Sequence, residues 1–231
     1  MSSFRSTPRQ GHLDQAKQIC GYLLKMKNAA IRFQTGLPDY SDVTDPVYDW
    51  ADSVYGCPTE QIPADAPTPL GKLVILTHYV DANLFHCMLT GRSVTGIVHL
   101  IIGSRIDAFS KKQATVETAT RGSKFVAACT CVEQIMVLQF TLRYLGVPIQ
   151  GRSCMFGDNE SVVNSSSQPD AKLHKRHVAL LFHRVREAIA SNMLSFLHID
   201  GVKNPTDILS KHWGYQQIWP QLRALLFWVG V

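Results

Sequence analysis

The most constraining feature of this chain is a run of short apolar segments alternating with two long helical ones. Residues 73–80, 95–102, 105–110, 154–157 and 194–199 each read as a strand bounded by turn or polar signals. The first three follow one another closely, and Gly103-Ser104 marks a turn, so they are expected to form an antiparallel meander. Between the third and fourth runs, residues 117–144 carry Phe125, Ala128, Val132, Ile135 and Leu138 at spacings of three and four. That stripe predicts a helix broken once and stopped by Gly146-Val147-Pro148. A second helix is expected over 175–190, and a last one over 206–212, just after Pro205. Strands that follow such crossovers return parallel, so the expected class is α/β (mixed α+β), a five-stranded mixed sheet flanked by helices.

The ends of the chain differ from this body. Residues 12–33 predict a helix running into a short strand, with Leu13, Ala16, Ile19, Cys20, Leu23 and Leu24 on one stripe. Residues 35–70 contain Pro38, Pro46, Pro58, Pro63, Pro67 and Pro69 and little apolar periodicity. They read as an irregular connection with a short helical turn near 48–55. The expected organisation is therefore a segment over 1–34, a Pro-rich linker over 35–70 and a folded domain over 71–231 with a Trp- and Leu-rich tail.

Composition excludes several classes. Hydrophobic residues make up 45% and charged residues 18%, which rules out disorder along the whole chain. No apolar run is expected to reach the ~18 residues of a membrane helix, and the first residues carry no secretory pattern. The six cysteines have no CxxC pair and the nine histidines no zinc-ligand spacing. All six thiols are expected to be reduced, in an intracellular protein. A net charge of +5 permits a polyanionic partner without demanding one.

Three acids sit at element boundaries: Asp81 closing the first strand, Asp158 closing the fourth and Asp207 opening the last helix. Carboxylates that converge at strand ends repel one another unless a cation lies between them. Such oxygen-rich sites suit Mg²⁺ or Mn²⁺. Three unrelated surface or capping residues would leave the same pattern.

Several stretches, taken together and in order, resemble one family. They are residues 7–19 with Tyr22-Leu23, Tyr79-Val80-Asp81-Ala82-Asn83, and Thr90 to Gly96. They continue with Ser110 to Val116, Gly157 to Ser161, Lys175-Arg176-His177 with His183 to Glu187, and Asn204 to Lys211. From about Phe4 to about Trp228 the chain is similar to the C-terminal part of a copia-type retrotransposon polyprotein. That part is the end of the reverse transcriptase plus the ribonuclease H domain. The resemblance implies a ribonuclease H-like fold and Mg²⁺-dependent cleavage of RNA in RNA–DNA hybrids by an Asp-Glu-Asp-Asp set. It places the first, third and fourth acids on Asp81, Asp158 and Asp207, the catalytic and metal-binding candidates. It also implies that residues 1–34 are a remnant of the polymerase connection, with the missing reverse transcriptase body as a partner. No Tyr-x-Asp-Asp polymerase motif is present. A start at Met1 inside such a region suggests a truncated copy or a reading frame within an element.

The second acid of the set falls on Lys124. A lysine supplies no lone pair when protonated and reverses the charge. At ~4 Å and an effective dielectric of ~20, each unit pair is worth on the order of 4 kcal/mol, enough to weaken a dication site strongly. The ammonium is alternatively expected to pair with Asp81 or Asp158 in place of a metal. Glu117 lies two turns, about 10 Å, from Lys124 along a helix and does not replace the lost acid. Catalysis is thus expected to be weakened or lost. A non-catalytic nucleic-acid-binding module and a non-functional remnant are the alternatives. The resemblance puts Arg92, Ser93 and Thr95 at the turn into the second strand and Asn159 in its Asp-Asn pair. Lys111, Lys112 and Gln113 follow the third strand, and Lys175 and Arg176 add positive charge. All are candidate nucleic-acid contacts, with a solvated surface side chain as the alternative for each basic residue. His177 and His183 read as packing or capping residues. The aromatics Trp213, Tyr215, Trp219, Phe227 and Trp228 read as covering the sheet or as contacts to a missing domain.

Overall fold

The computed structural model describes residues 7–25, 27, 33, 36–40, 43–173, 176–211, 213–214 and 216–220. Helix α1 spans Gln10–Lys25. The sheet is built from β1 (Leu76–Asn83), β2 (Val94–Ile101), β3 (Ser104–Lys112), β4 (Ser153–Gly157) and β5 (Leu194–His198). The helices are α2 (Thr120–Tyr144), α3 (Glu160–Ser167), α4 (Ala179–Ala190) and the single turn α5 (Asp207–Ser210).

The expected five-stranded mixed sheet is present, in the order β3-β2-β1-β4-β5. β1, β2 and β3 form the antiparallel meander, and β4 and β5 run parallel to β1. The β2–β3 connection is a two-residue turn with both φ positive, 52° at Ile102 and 75° at Gly103. That geometry matches the twist of a hairpin. The turn therefore begins one residue before the expected Gly103-Ser104 pair.

Helix α2 packs Phe125, Ala128, Val132 and Ile135 into one core with Val80, Ile97, Met155 and Leu194 of the sheet and Phe182 and Val185 of α4. Burying a side chain of this size contributes about 1.5–3 kcal/mol each. The helix is unbroken and starts at Thr120, not at Glu117. It is also long and apolar enough to cross a membrane by length and composition, contrary to expectation. Its apolar length covers the sheet, and half of its most apolar window is buried there.

Other expectations are corrected by pairing. β1 begins at Leu76 and continues past Asp81, because Ala82 and Asn83 still pair with Thr95 and Val94. Lys111 and Lys112 lie inside β3, paired with the same two residues, and do not follow the strand. Helix α3 was not expected at all. Residues 176–178 form a 3-10 turn leading into α4, so the helix expected over 175–190 starts later. The turn expected to be helical near 48–55 is two successive β-turns, closed by Ser53 N–H to Trp50 O and Gly56 N–H to Ser53 O. Phe33 lies in neither helix nor strand, and the rest of the strand expected beside it falls outside the described residues.

The Pro-rich stretch lies on the domain. Trp50 is only 4% exposed and joins the main core. The Arg186 guanidinium stacks over Trp50, Tyr55 and Phe182 at 4.7, 5.3 and 4.9 Å. It also donates to the carbonyls of Ser165, Gln168 and Pro169. Asp45 pairs with Arg152 at 2.7 Å and accepts from the Ser195 hydroxyl at 2.9 Å. By contrast, α1 buries no residue, and Leu13, Ile19, Leu23 and Leu24 of its stripe are exposed.

Candidate functional site

β1, β4 and α5 bring Asp81, Asp158 and Asp207 together, with one carboxylate oxygen of each within 4.8 Å of the others. Two local devices set this geometry. The Asn204 side chain donates to Val80 O of β1 at 3.1 Å and accepts from the Thr206 amide and hydroxyl, which fixes the turn into α5. Gly96, the β2 partner of Asp81, lets that turn approach: a Cβ there would lie 2.9 Å from Thr206 O.

Lys124, on the first turns of α2, enters the cluster. Its Nζ donates to Asp81 Oδ1 at 2.9 Å and to Asp158 Oδ1. Only 13% of its side chain is exposed, and none of Asp81's. Lys211 supplies a second ammonium: its Nζ donates to Asp207 Oδ1 at 2.6 Å and lies 3.7 Å from Asp81 Oδ2. The Ser210 hydroxyl donates to Asp81 Oδ2 at 2.5 Å. Asp81 is thus shared between two cations, one on each oxygen.

The electrostatics follow from these contacts. Burial raises the Asp81 carboxyl, but Lys124, Ser210 and Lys211 together outweigh it, so its pKa ends below the ordinary carboxylate value. Burial likewise disfavours the Lys124 ammonium, yet Asp81 and Asp158 hold its pKa above that of a free lysine. Asp207 is pushed up by burial, against its bond to Lys211 and with the Asp81 charge adding to the rise.

A pair of divalent cations does not fit this donor set. Among the described residues three acids converge, the Lys124 ammonium lies between two of them, and the converging oxygens already accept from lysines. Lys211 was not singled out as a site residue from the sequence. Its spacing of four from Asp207 across a helical turn was the available signal.

The expected nucleic-acid contacts divide into two groups. Arg92, Lys111, Lys112 and Arg176 are exposed. Ser93, Thr95 and Gln113 are buried at 0%, 3% and 5% exposure. Gln113 Nε2 donates to the Thr95 hydroxyl at 3.0 Å and to Ser123 O at 2.8 Å, tying β2 and β3 to the start of α2. Asn159 caps α3 through Oδ1, which accepts from Val162 N–H at 3.0 Å. Lys175 lies outside the described residues, as do Tyr215, Phe227 and Trp228. Trp213 donates from Nε1 to Asp207 O at 2.9 Å and so buttresses the site. His177 pairs with Glu117 at 3.1 Å, and His183 with the Tyr55 hydroxyl at 2.5 Å.

No family model matches the chain. In sequence, 141 residues are 27% identical to the retrovirus-related Pol polyprotein from transposon TNT 1-94 of Nicotiana tabacum, covering 61% of this chain. The chain spans about a tenth of that relative's length. Among solved structures, the N-terminal RNase H domain of rv2228c from Mycobacterium tuberculosis is similar at a TM-score of 0.47 and 10% identity, over 65% of this chain and 98% of that one. LC11-RNase H1 in complex with RNA/DNA hybrid gives 0.47 and 17%, over 58% and 93%. The foamy viral protease-reverse transcriptase in complex with RNA/DNA hybrid gives 0.42 and 11%, over 67% and 22%. The chain is thus similar in sequence to part of a retroelement polyprotein, and it carries a mixed five-stranded sheet with three acids converging in space.

Proposed function

We propose that this chain is a ribonuclease H-like domain of a copia-type retroelement that binds RNA–DNA hybrid and has lost the ability to cut it. The observation that carries the loss is the placement of Lys124 Nζ on both Asp81 and Asp158. An ammonium there neutralises the carboxylates that a metal-dependent nuclease needs free, and it offers no lone pair of its own. Lys211 holds Asp207 in the same way. The acids then act as anchors for α2 and α5 on the sheet.

Binding is assigned to the exposed cations Arg92, Lys111, Lys112 and Arg176. Contacts of this kind go to phosphates, so they give affinity without sequence preference. Discrimination of hybrid from DNA rests on groove shape and 2′-OH contacts. With three or four phosphates engaged, log K should fall with log salt at a slope of about −3. Residues 1–34 read as the end of a polymerase connection. The exposed apolar stripe of α1 supports a reverse transcriptase body as its partner.

The test is a labelled RNA–DNA hybrid incubated with Mg²⁺ and either the native chain or Lys124→Glu. Salt-dependent binding without cleavage is expected for the native chain, and cleavage for the variant. Robust cleavage by the native chain would refute the reading.

A further inference from the structure

The loop joining β1 to β2 leaves the sheet at the end where the acids converge, because Asp81 lies two residues before the end of β1. It carries the most exposed apolar side chains near the site. Met88 is 91% exposed and Leu89 95%. The turn that presents them is closed by backbone bonds from Gly91 N–H to Cys87 O at 2.8 Å and from Cys87 N–H to Arg92 O at 3.0 Å. Beneath the tip, Phe85 and Val116 close around Gly91, where a Cβ would lie 3.3 Å from an atom of each. Gly91 also has a φ of 67°. Lys112 Nζ reaches Cys87 Sγ at 3.3 Å and ties the loop to the end of β3. Neither the loop nor that strand end contains a carboxylate, while Arg92 follows the tip in the loop, Lys112 reaches it from β3, and the exposed Lys111 adjoins Lys112.

An apolar projection set in a cationic rim has a specific complement. Solvent alone would favour a polar tip, and a purely apolar partner would leave the rim unpaired. A duplex satisfies both requirements: its phosphates meet the cations, and a base step accepts the apolar side chains. Proteins that part base steps use Met, Leu and Phe side chains in this way. We infer that Met88 and Leu89 form a wedge that enters the minor groove and parts a base step of the nucleic acid bound across Arg92, Lys111 and Lys112. The inference rests on the hybrid-binding reading and adds the residues that would deform the bound duplex.

The test uses the full chain and an RNA–DNA hybrid of about 20 base pairs carrying 2-aminopurine in the DNA strand. Binding is followed by anisotropy and unstacking by 2-aminopurine fluorescence. The native chain should bind and raise the fluorescence about twofold or more. Met88→Ser combined with Leu89→Ser should keep the salt slope, lose about tenfold in affinity and abolish the rise. Both positions are over nine-tenths exposed, so the variant keeps its fold. Binding by the native chain without a fluorescence rise overturns the wedge and leaves the hybrid-binding reading standing. An unchanged rise in the variant does the same. Self-association of the native chain that the variant abolishes would make the tip a contact between copies and also overturns the wedge. Absence of any binding at low salt removes both readings.

Discussion

Lys124 Nζ donates to Asp81 Oδ1 over 2.9 Å, in a place where the aspartate side chain has no exposure at all. Breaking such a pair from one side leaves an uncompensated charge and costs about 3–5 kcal/mol. Lys124→Glu does more, because it sets four acids together with Lys211 as the nearby cation. We expect that variant to melt about 6–20 °C lower than the native chain in EDTA. Added Mg²⁺ should restore most of the loss, since four clustered carboxylates favour a dication between them. The native melting temperature should move little between EDTA and Mg²⁺. A native chain stabilised by Mg²⁺ as strongly as the variant would show that the lysine does not hold the site.

The ion pairs also define a pH window. Asp81 has a lowered pKa, so its stabilising contribution is complete above about pH 4 and is lost as pH falls through the still lower folded value. Lys124 has a raised pKa, so its contribution is complete below about pH 10 and is lost only as pH rises through the folded value. Asp207 opposes Asp81, because its raised pKa makes ionisation costly to the folded state.

The Pro-rich stretch is predicted to be integral to the domain. Trp50 lies under the Arg186 guanidinium at 4.7 Å, and Tyr55 lies under it at 5.3 Å, so this part of the stretch packs on α4. Trp50→Ala removes a buried ring, one of the three against the Arg186 guanidinium, at a cost of about 3–5 kcal/mol. Urea unfolding measures this through the midpoint at constant slope. A loss below about 1 kcal/mol would mean that the stretch is only laid against the surface.

What was legible in the sequence follows from what each segment buries. The meander and α2 could be read because their apolar residues recur at one spacing, as with Phe125, Ala128, Val132 and Ile135. Asp81, Asp158 and Asp207 could be singled out because each adjoins such a segment. Helix α3 could not, since Val162 and Val163 beside a run of serines make no stripe. Its signal was the Asn159 cap. Ser93, Thr95 and Gln113 look like surface residues by type, yet they are buried: the Gln113 side chain bonds the Thr95 hydroxyl and an α2 carbonyl, and its backbone N–H donates to Ser93 O. Trp50 was hidden by its neighbours: a proline-rich composition reads as a connection even when one ring in it belongs to the core.

Cys87 should be the most reactive thiol. Hydrogen bonds from the Thr90 hydroxyl and backbone amide, then the Lys112 ammonium, bring its pKa down to about 7. Burial pushes Cys129 up to about 11, and Cys131, fully enclosed, far above the usual range. Iodoacetamide at pH 7 should therefore modify Cys87 first and leave Cys129 and Cys131 unmodified until the chain unfolds. Lys112→Met should slow the Cys87 reaction about fivefold or less, because it removes the ammonium beside the sulfur and leaves the Thr90 bonds. Mass mapping of the first labelled peptide decides the matter: early modification of Cys129 would contradict the packing of α2.

The buried imidazoles predict how stability responds to mild acid. His78 and His99 share a 2.7 Å contact between their Nδ1 atoms, and His99 Nε2 lies 2.9 Å from Gln134 Oε1. Because Oε1 only accepts, His99 carries its proton on Nε2, and its Nδ1 accepts from His78 Nδ1–H. His78 Nε2 is then a buried lone pair without a partner. Protonating it would bury a charge and an unpaired N–H. Burial, and next the neighbouring His99, hold the His78 pKa well below 6.5. Burial also lowers His99, against the pull of Gln134 and Asp107. Below about pH 6.5 the unfolded chain binds protons on both rings more readily than the folded chain does, so stability falls as pH drops. Between pH 7.5 and 5.5 the larger part of the loss should come from His78, whose pKa is lowered further than that of His99. His78→Leu should remove the larger part of that pH-dependent loss, whatever it does to stability at neutral pH. Urea unfolding of both chains at the two pH values measures it, and an equal loss in the two chains would rule out His78 as a source.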